Sequence, residues 1–410
     1  MDSPENPTRR DLLAAATVSL AASQQLAAQT PAQAASGLRP FRVNIPAEVI
    51  DRIRNRVRDT RLPDRLESRD WRYGADWDYM QSLAAYWTSR FDWRKAEENL
   101  NRYPQFQARV GDYDIHFYHV KGSGANPLPL ILTHGWPGSV FEFLEAIGPL
   151  TAAGQDSFDV VVPSLPGFGF SSKPQGRPIG PPTTARLWHR LMTEVLGYRK
   201  FGAQGGDWGN SITTQLARQF PASLAGVHLN AAAGGQVPDA EQTEEIRAWQ
   251  RAATAYRARE LDYFGEQQNK PQTVAFALAD NPLGAAAWIV EKLKVWSDSG
   301  DDLDRTFTKD QVLTNVMLYL VTDTVASAVW FYRGASEDAA PPAGGRIEVP
   351  TGFASFPKEM PVLNPPQAVL ARAYNVVRYT KMPRGGHFAC LEQPGLLVED
   401  IRAFFRPLRG

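Results

Sequence analysis

Cysteine is nearly absent from this 410-residue chain: Cys390 stands alone. That excludes an intrachain disulfide and any zinc or iron–sulfur site built from cysteines. Neither sign of charge is in excess, with 44 Lys plus Arg against 44 Asp plus Glu. A neutral chain carries no electrostatic footprint for nucleic acid or an anionic membrane. After the first residues no stretch approaches the 18 or so uninterrupted apolar residues that would span a bilayer. Fixed-period repeats and low-complexity tracts are missing as well, despite 32 Gly and 31 Pro. What is present is ample apolar material, 43% of residues against 21% charged, which excludes disorder of the whole chain. Length alone suggests two or three domain-sized units.

The first segment reads as an address. Thr8-Arg9-Arg10-Asp11-Leu12-Leu13 precedes an apolar run reaching about Ala22, the form of a twin-arginine export signal. The run is too short and too rich in Ala and Ser to span a membrane, and Ala32-Gln33-Ala34 offers a cleavage site. The expected location is therefore periplasmic or secreted, and cytoplasmic if the segment is only an alanine-rich tail.

From Pro40 to Pro104 the text is helical and rich in tryptophan. Ile45, Val49, Ile50, Ile53 and Val57 share one helix face, with Arg52, Arg54, Arg56 and Arg58 on a solvated one. Tyr79, Leu83, Tyr86 and Trp87 suggest a second helix, and Tyr113, Ile115, Phe117 and His119 alternate as in a strand. The pattern then changes to short apolar runs ending in glycine: residues 128–133, 158–162, 201–204 and 224–229. Such runs alternating with helices build a mostly parallel sheet flanked by helices, with its chemistry at the carboxyl ends of strands. Residues 235–345 interrupt the rhythm with helical text at 241–261, 276–296 and 312–332, as an insertion over the sheet would. Strand-like text returns at 346–349, ending near Thr351, and at 376–380, and a helix at 396–405 closes the chain.

Gly205-Gly206-Asp207-Trp208-Gly209 has the small-x-nucleophile-x-small form of a nucleophile elbow. There the central residue is a carboxylate, suited to displacing a leaving group, epoxide oxygen or halide, from saturated carbon through an alkyl ester. His387, in Arg384-Gly385-Gly386-His387-Phe388, follows the last strand candidate, and Glu359 lies 28 residues before it. Nucleophile, acid, histidine is the chain order of the α/β-hydrolase triad. Glu348 and the position of Asn230 compete for the acid, though Asn230 cannot ionise. The other histidines, 116, 119, 134, 189 and 228, read as strand-face, turn or helix-surface residues, and Cys390 as a packed thiol.

His134-Gly135-Trp136-Pro137-Gly138-Ser139, the elbow, Pro350-Thr351-Gly352-Phe353 and the His387 motif together resemble the microsomal-type epoxide hydrolases, which include the juvenile-hormone enzymes. The likeness runs from about Phe41 to the C-terminus. It implies an α/β-hydrolase fold with a helical N-terminal extension and a helical lid. The chain then divides into a leader at 1–37, the extension at 38–108, core at 109–234, lid at 235–345 and core again at 346–410.

The resemblance implies that Asp207 opens an apolar epoxide and that His387, oriented by Glu359, activates the water that releases the diol. Lid tyrosines would polarise the epoxide oxygen: Tyr332, and Tyr263 with Tyr256 as its alternative. The tetrahedral oxyanion needs two fixed donors, most simply the backbone N–H groups of Trp136 and Trp208. No cofactor or metal is called for, and Gly167-x-Gly169 lacks the rest of a dinucleotide fingerprint. The expected partners are an apolar epoxide and water, with no nucleic acid and no stable membrane anchor; homo-oligomerisation is left open. A haloalkane dehalogenase would share the aspartate but stabilise a departing halide with ring N–H donors. A non-catalytic binding protein on this scaffold would carry a broken triad. Serine-esterase chemistry is excluded by Asp207.

Overall fold

The structure is a computed structural model that describes residues 37–66, 71–154, 156–338 and 345–409. The leader reading of residues 1–37 therefore lies, apart from Gly37, outside the described residues. The apolar runs form strands β1 (Leu38–Phe41), β2 (Gln105–Val110), β3 (Tyr113–Val120), β4 (Leu128–Thr133), β5 (Phe158–Pro163), β6 (Phe201–Gly205), β7 (Leu224–Leu229), β8 (Ile347–Ser355) and β9 (Tyr374–Lys381). They make one sheet in the order β1-β2-β3-β5-β4-β6-β7-β8-β9. Its first three strands and their junction with β5 are antiparallel, and every pairing from β5 to β9 is parallel. The central strands β5, β6 and β7 are buried at every position, which is why they read as continuous apolar runs.

Among the described residues three helices precede β2: α1 (Ala47–Asp59), α2 (Trp77–Ser89) and α3 (Trp93–Leu100). On α1 the apolar stripe buries Ile50, Ile53 and Val57, and on α2 Met80, Leu83 and Trp87 are buried. The wholly helical reading from Pro40 to Pro104 needs one correction. Leu38–Phe41 is a strand, pairing Leu38 with Ala108, and so adds an edge to the sheet. Four residues are too few for periodicity to reveal this.

Helices α4 (Leu144–Thr151), α5 (Pro181–Arg190) and α6 (Trp208–Gln219) connect the strands that follow. After β7 come α7 (Glu244–Glu260), α8 (Asp262–Asn269), α9 (Pro271–Leu278), α10 (Pro282–Trp296), α11 (Lys309–Val321) and α12 (Val325–Glu337). Of the three long helical stretches expected here, 241–261 forms the single helix α7, and the other two are each broken in two. Pro271 and Pro282 have no N–H to continue a helix and sit at the start of α9 and α10. Asp323 takes a left-handed φ of 55° between α11 and α12. The chain closes with α13 (Gln367–Ala373), α14 (Ala389–Glu392) and α15 (Pro394–Phe405). β8 runs beyond Thr351 because its pairing with β9 continues to Ser355↔Lys381. Among the described residues no single helix is long and apolar enough to cross a membrane.

Candidate active site

The turn from β6 into α6 places Asp207. Its backbone takes φ 51° and ψ −128°, a conformation that costs a non-glycine residue about 1–3 kcal/mol and turns its side chain out of the sheet. The turn is so tight that a Cβ on Gly205 would come within 2.2 Å of the Gly209 carbonyl oxygen. In the loop after the neighbouring strand β4, Gly135 is equally constrained, since a Cβ there would lie 2.1 Å from Asp207 Oδ1. The loop after β4 can thus close on the carboxylate, and the Trp136 N–H donates to Asp207 Oδ1 at 2.9 Å. The Trp208 N–H lies in the first turn of α6, where no intrahelical partner exists, and makes no bond to Asp207.

Asp207 Oδ2 lies 3.3 Å from His387 Nε2. The opposite ring nitrogen, Nδ1, donates to Glu359, whose two oxygens lie at 2.8 and 3.0 Å. Glu359 stands in the turn past β8, where its Oε1 also accepts from the Met360 N–H at 2.7 Å. Both His387 and Glu359 are buried. Burial alone would push the imidazole down, but the carboxylates of Glu359 and Asp207 on its two sides outweigh it and hold His387 well above the usual histidine range. The His387 loop is itself anchored: its N–H donates to the Trp296 carbonyl at 2.9 Å, and Glu392 accepts from the N–H groups of Phe388 and Asp298.

Tyr263 from α8 and Tyr332 from α12 cover this carboxylate. Tyr263 stacks on Trp136 at 5.6 Å and meets Tyr332 edge-on at 6.1 Å, while Tyr332 stands edge-on to Trp208 at 4.9 Å. Burial first, then the Asp207 charge and, for Tyr332, its tyrosine neighbour, raise both phenols well above their ordinary value. They are therefore held as O–H donors. Tyr256 is half-buried, and its charged neighbours are Glu260, Glu359 and Glu291 rather than Asp207. Trp296, Phe264 and Phe331 complete an aromatic wall.

The competing positions lie elsewhere or are otherwise engaged. Glu348 is exposed on β8, and Asn230 accepts from Gln204 at 2.8 Å. His116 is bonded to Ser164 and Gln105, and His134 Nε2 accepts from the Leu165 N–H at 3.1 Å. Sequence reasoning missed Asn315 and Tyr319 on α11. Asn315 Nδ2 donates to the Pro137 carbonyl at 2.7 Å and Tyr319 donates to that of Gly138 at 2.5 Å, so α11 fixes the loop that carries the Trp136 N–H. These contacts join residues 178 and 181 positions apart, beyond any local pattern.

Comparison with known proteins agrees with this arrangement. Residues 38–143 match the family described as "Epoxide hydrolase N terminus", and residues 129–320 that described as "alpha/beta hydrolase fold". A putative epoxide hydrolase of Stigmatella aurantiaca is 40% identical over 384 residues, covering 91% of this chain and 86% of that protein. Epoxide hydrolase 1 of Sus scrofa is 36% identical over 403 residues, covering 90% and 88%. Among solved structures, the juvenile hormone epoxide hydrolase of the silkworm Bombyx mori superposes with a TM-score of 0.83 at 28% identity, covering 92% of this chain and 95% of that one.

Proposed function

The chain belongs to the epoxide hydrolase family, and from that premise we propose that it converts an apolar epoxide and water to a vicinal diol through an ester on Asp207. One observation carries the reading: Asp207 lies between a buried, Glu359-bound His387 and two phenols held as proton donors. Asp207 Oδ2 attacks a ring carbon, the carbon–oxygen bond breaks, and the opened oxygen takes its proton through Tyr263 or Tyr332. That phenol regains its proton from solvent, and His387 stays charged while Asp207 is ionised. Ester formation removes the Asp207 charge, one of the two that hold the imidazole protonated.

His387 can then act as a base. It takes a proton from water, the oxygen attacks the Asp207 carbonyl carbon, and the oxyanion forms at Oδ1 against the Trp136 N–H. The Trp208 N–H is the second donor in this reading. Collapse breaks the ester bond and releases the diol. The aromatic wall of Trp136, Trp208, Trp296, Phe264 and Phe331 supports an apolar substrate.

The test is His387→Gln in single turnover with styrene oxide as the probe. Only the second half-reaction uses the base, so intact-protein mass spectrometry should show an adduct of one substrate mass that persists. A folded variant that binds the epoxide and forms no adduct would overturn the covalent route.

A further inference from the structure

Beside the triad lies a small cavity of about 20 Å³, room for one water molecule. Asp207, His387 and Trp136 line one side, and Glu142, Asn230 and Phe388 are among the residues closing it. Glu142 follows the oxyanion turn, in the 3-10 segment Val140–Phe143. Its Oε1 accepts from the Ser139 N–H at 3.1 Å, half of a capping box, while Oε2 has no hydrogen-bond partner among the described residues. The carboxyl group lies so close to Gly138 that a Cβ there would sit 1.4 Å from Oε1, so the turn is shaped around it. Asn230, also in the lining, has its Oδ1 occupied by Gln204, which leaves its amide N–H₂ as a donor.

We propose that Glu142 holds the hydrolytic water of this enzyme, accepting one of its hydrogens at Oε2 while His387 Nε2 takes the other. The assignment rests on the aspartyl-ester reading above. A water in the cavity donates to His387 and to Glu142 and accepts from Asn230, which leaves one lone pair for the Asp207 carbonyl carbon. His387 removes one proton, the oxygen bonds to that carbon, and the ester carbon–oxygen bond breaks; Glu142 gains no proton in the step. Capping alone would not require a carboxyl group walled into the site with one oxygen unpartnered. Burial pushes Glu142 up to about 8, with His387 pulling it down and the Asp207 charge pushing it up, so the ionised acceptor is favoured toward alkaline pH.

Glu142→Gln separates the two uses of the side chain. The one amide oxygen of Gln can keep the Ser139 bond, which turns an N–H₂ group toward a site that needs an acceptor. In rapid-quench single turnovers of styrene oxide, followed by intact mass, ester formation should stay within about twofold of wild type. Ester decay should slow about tenfold or more, with kcat and KM falling together and kcat/KM unchanged. Glu142→Asp, which keeps the acceptor but retracts it, should decay at an intermediate rate. Decay at the wild-type rate in both variants would overturn the role of Glu142, as would equal slowing of formation and decay, the mark of a disturbed turn. If His387→Gln traps no ester, the covalent reading fails and this assignment with it; an ester trapped there but decaying normally in Glu142→Gln removes only the latter.

Discussion

In the proposed reaction Tyr263 and Tyr332 supply a proton donor at a fixed place, and their surroundings keep them protonated. Both are packed among aromatic rings, and burial together with the nearby Asp207 charge disfavours a phenolate. Because the shift is upward from an ordinary value near 10, neither phenol ionises across the range in which the protein would be assayed. Formation of the ester, read as kcat/KM, should therefore show no alkaline fall near pH 10 from tyrosine ionisation; a phenol-like decline there would contradict the burial argument. Tyr332→Phe removes a donor aimed at a developing alkoxide, a loss worth about a hundredfold or more in rate when no substitute exists. Tyr263→Phe should do the same, and the double variant should form no ester in stopped-flow measurements. Wild-type ester formation in the double variant would show that the oxygen is protonated from elsewhere.

At the scale of elements, the C-terminal helix is tied to the sheet by one buried carboxylate. Asp400 on α15 accepts from Thr380 and Arg378 of β9, both at 2.7 Å, and lies 3.0 Å from His228 on β7. Burial pushes this carboxyl up, but the His228, Thr380 and Arg378 contacts outweigh it and bring it down to about 2. The folded value lies below the ordinary carboxylate value near 3.9, so the ionised form is favoured by folding. The stabilisation, on the order of 2 kcal/mol, is complete above about pH 4 and is lost as the pH falls toward 2. Asp400→Asn should lower unfolding stability in urea by about that amount at pH 7 and by about half as much at pH 3. An equal loss at both values would assign the effect to packing rather than charge.

This clamp was not legible in the sequence, whereas most of the candidate site was. Asp207, Glu359 and His387 sit in short motifs with characteristic neighbours, in a recognisable order along the chain. Each motif follows a strand whose apolar run is plain. Asp400 lies inside an amphipathic helix like any surface acid, and only the pairing of β7, β8 and β9 brings its partners within reach. Glu142 escaped for a similar reason, since its spacing from Ser139 reads as ordinary helix capping. The brief strand β1 escaped because four residues carry too little period.

Across the whole molecule, the N-terminal helices hold the covering helices down on the sheet through a line of side-chain bonds. Arg56 on α1 donates to the carbonyl and carboxylate of Asp280 at 2.6 and 2.7 Å. Tyr79 and Tyr86 on α2 donate to Asp304 at 3.1 Å and to Asp310 at 2.9 Å. These contacts of three side chains run from α1 and α2 to the segment between α9 and the start of α11, the same helix whose Asn315 and Tyr319 grip the turn after Trp136. Each surface bond alone contributes well under 1 kcal/mol or so, but losing all three weakens one cooperative attachment by about 1–2 kcal/mol. A variant carrying Arg56→Ala, Tyr79→Phe and Tyr86→Phe should therefore exchange the amide hydrogens of α10 and α11 some five- to thirtyfold faster. Strands β4 to β8 should exchange at the wild-type rate, because their protection reports global unfolding rather than the opening of the cover. Mass-spectrometric hydrogen exchange on peptides from both regions makes the comparison within one sample. Faster exchange everywhere would mean that the N-terminal helices stabilise the whole fold, and unchanged exchange in α10 and α11 would mean that apolar packing alone keeps the site covered.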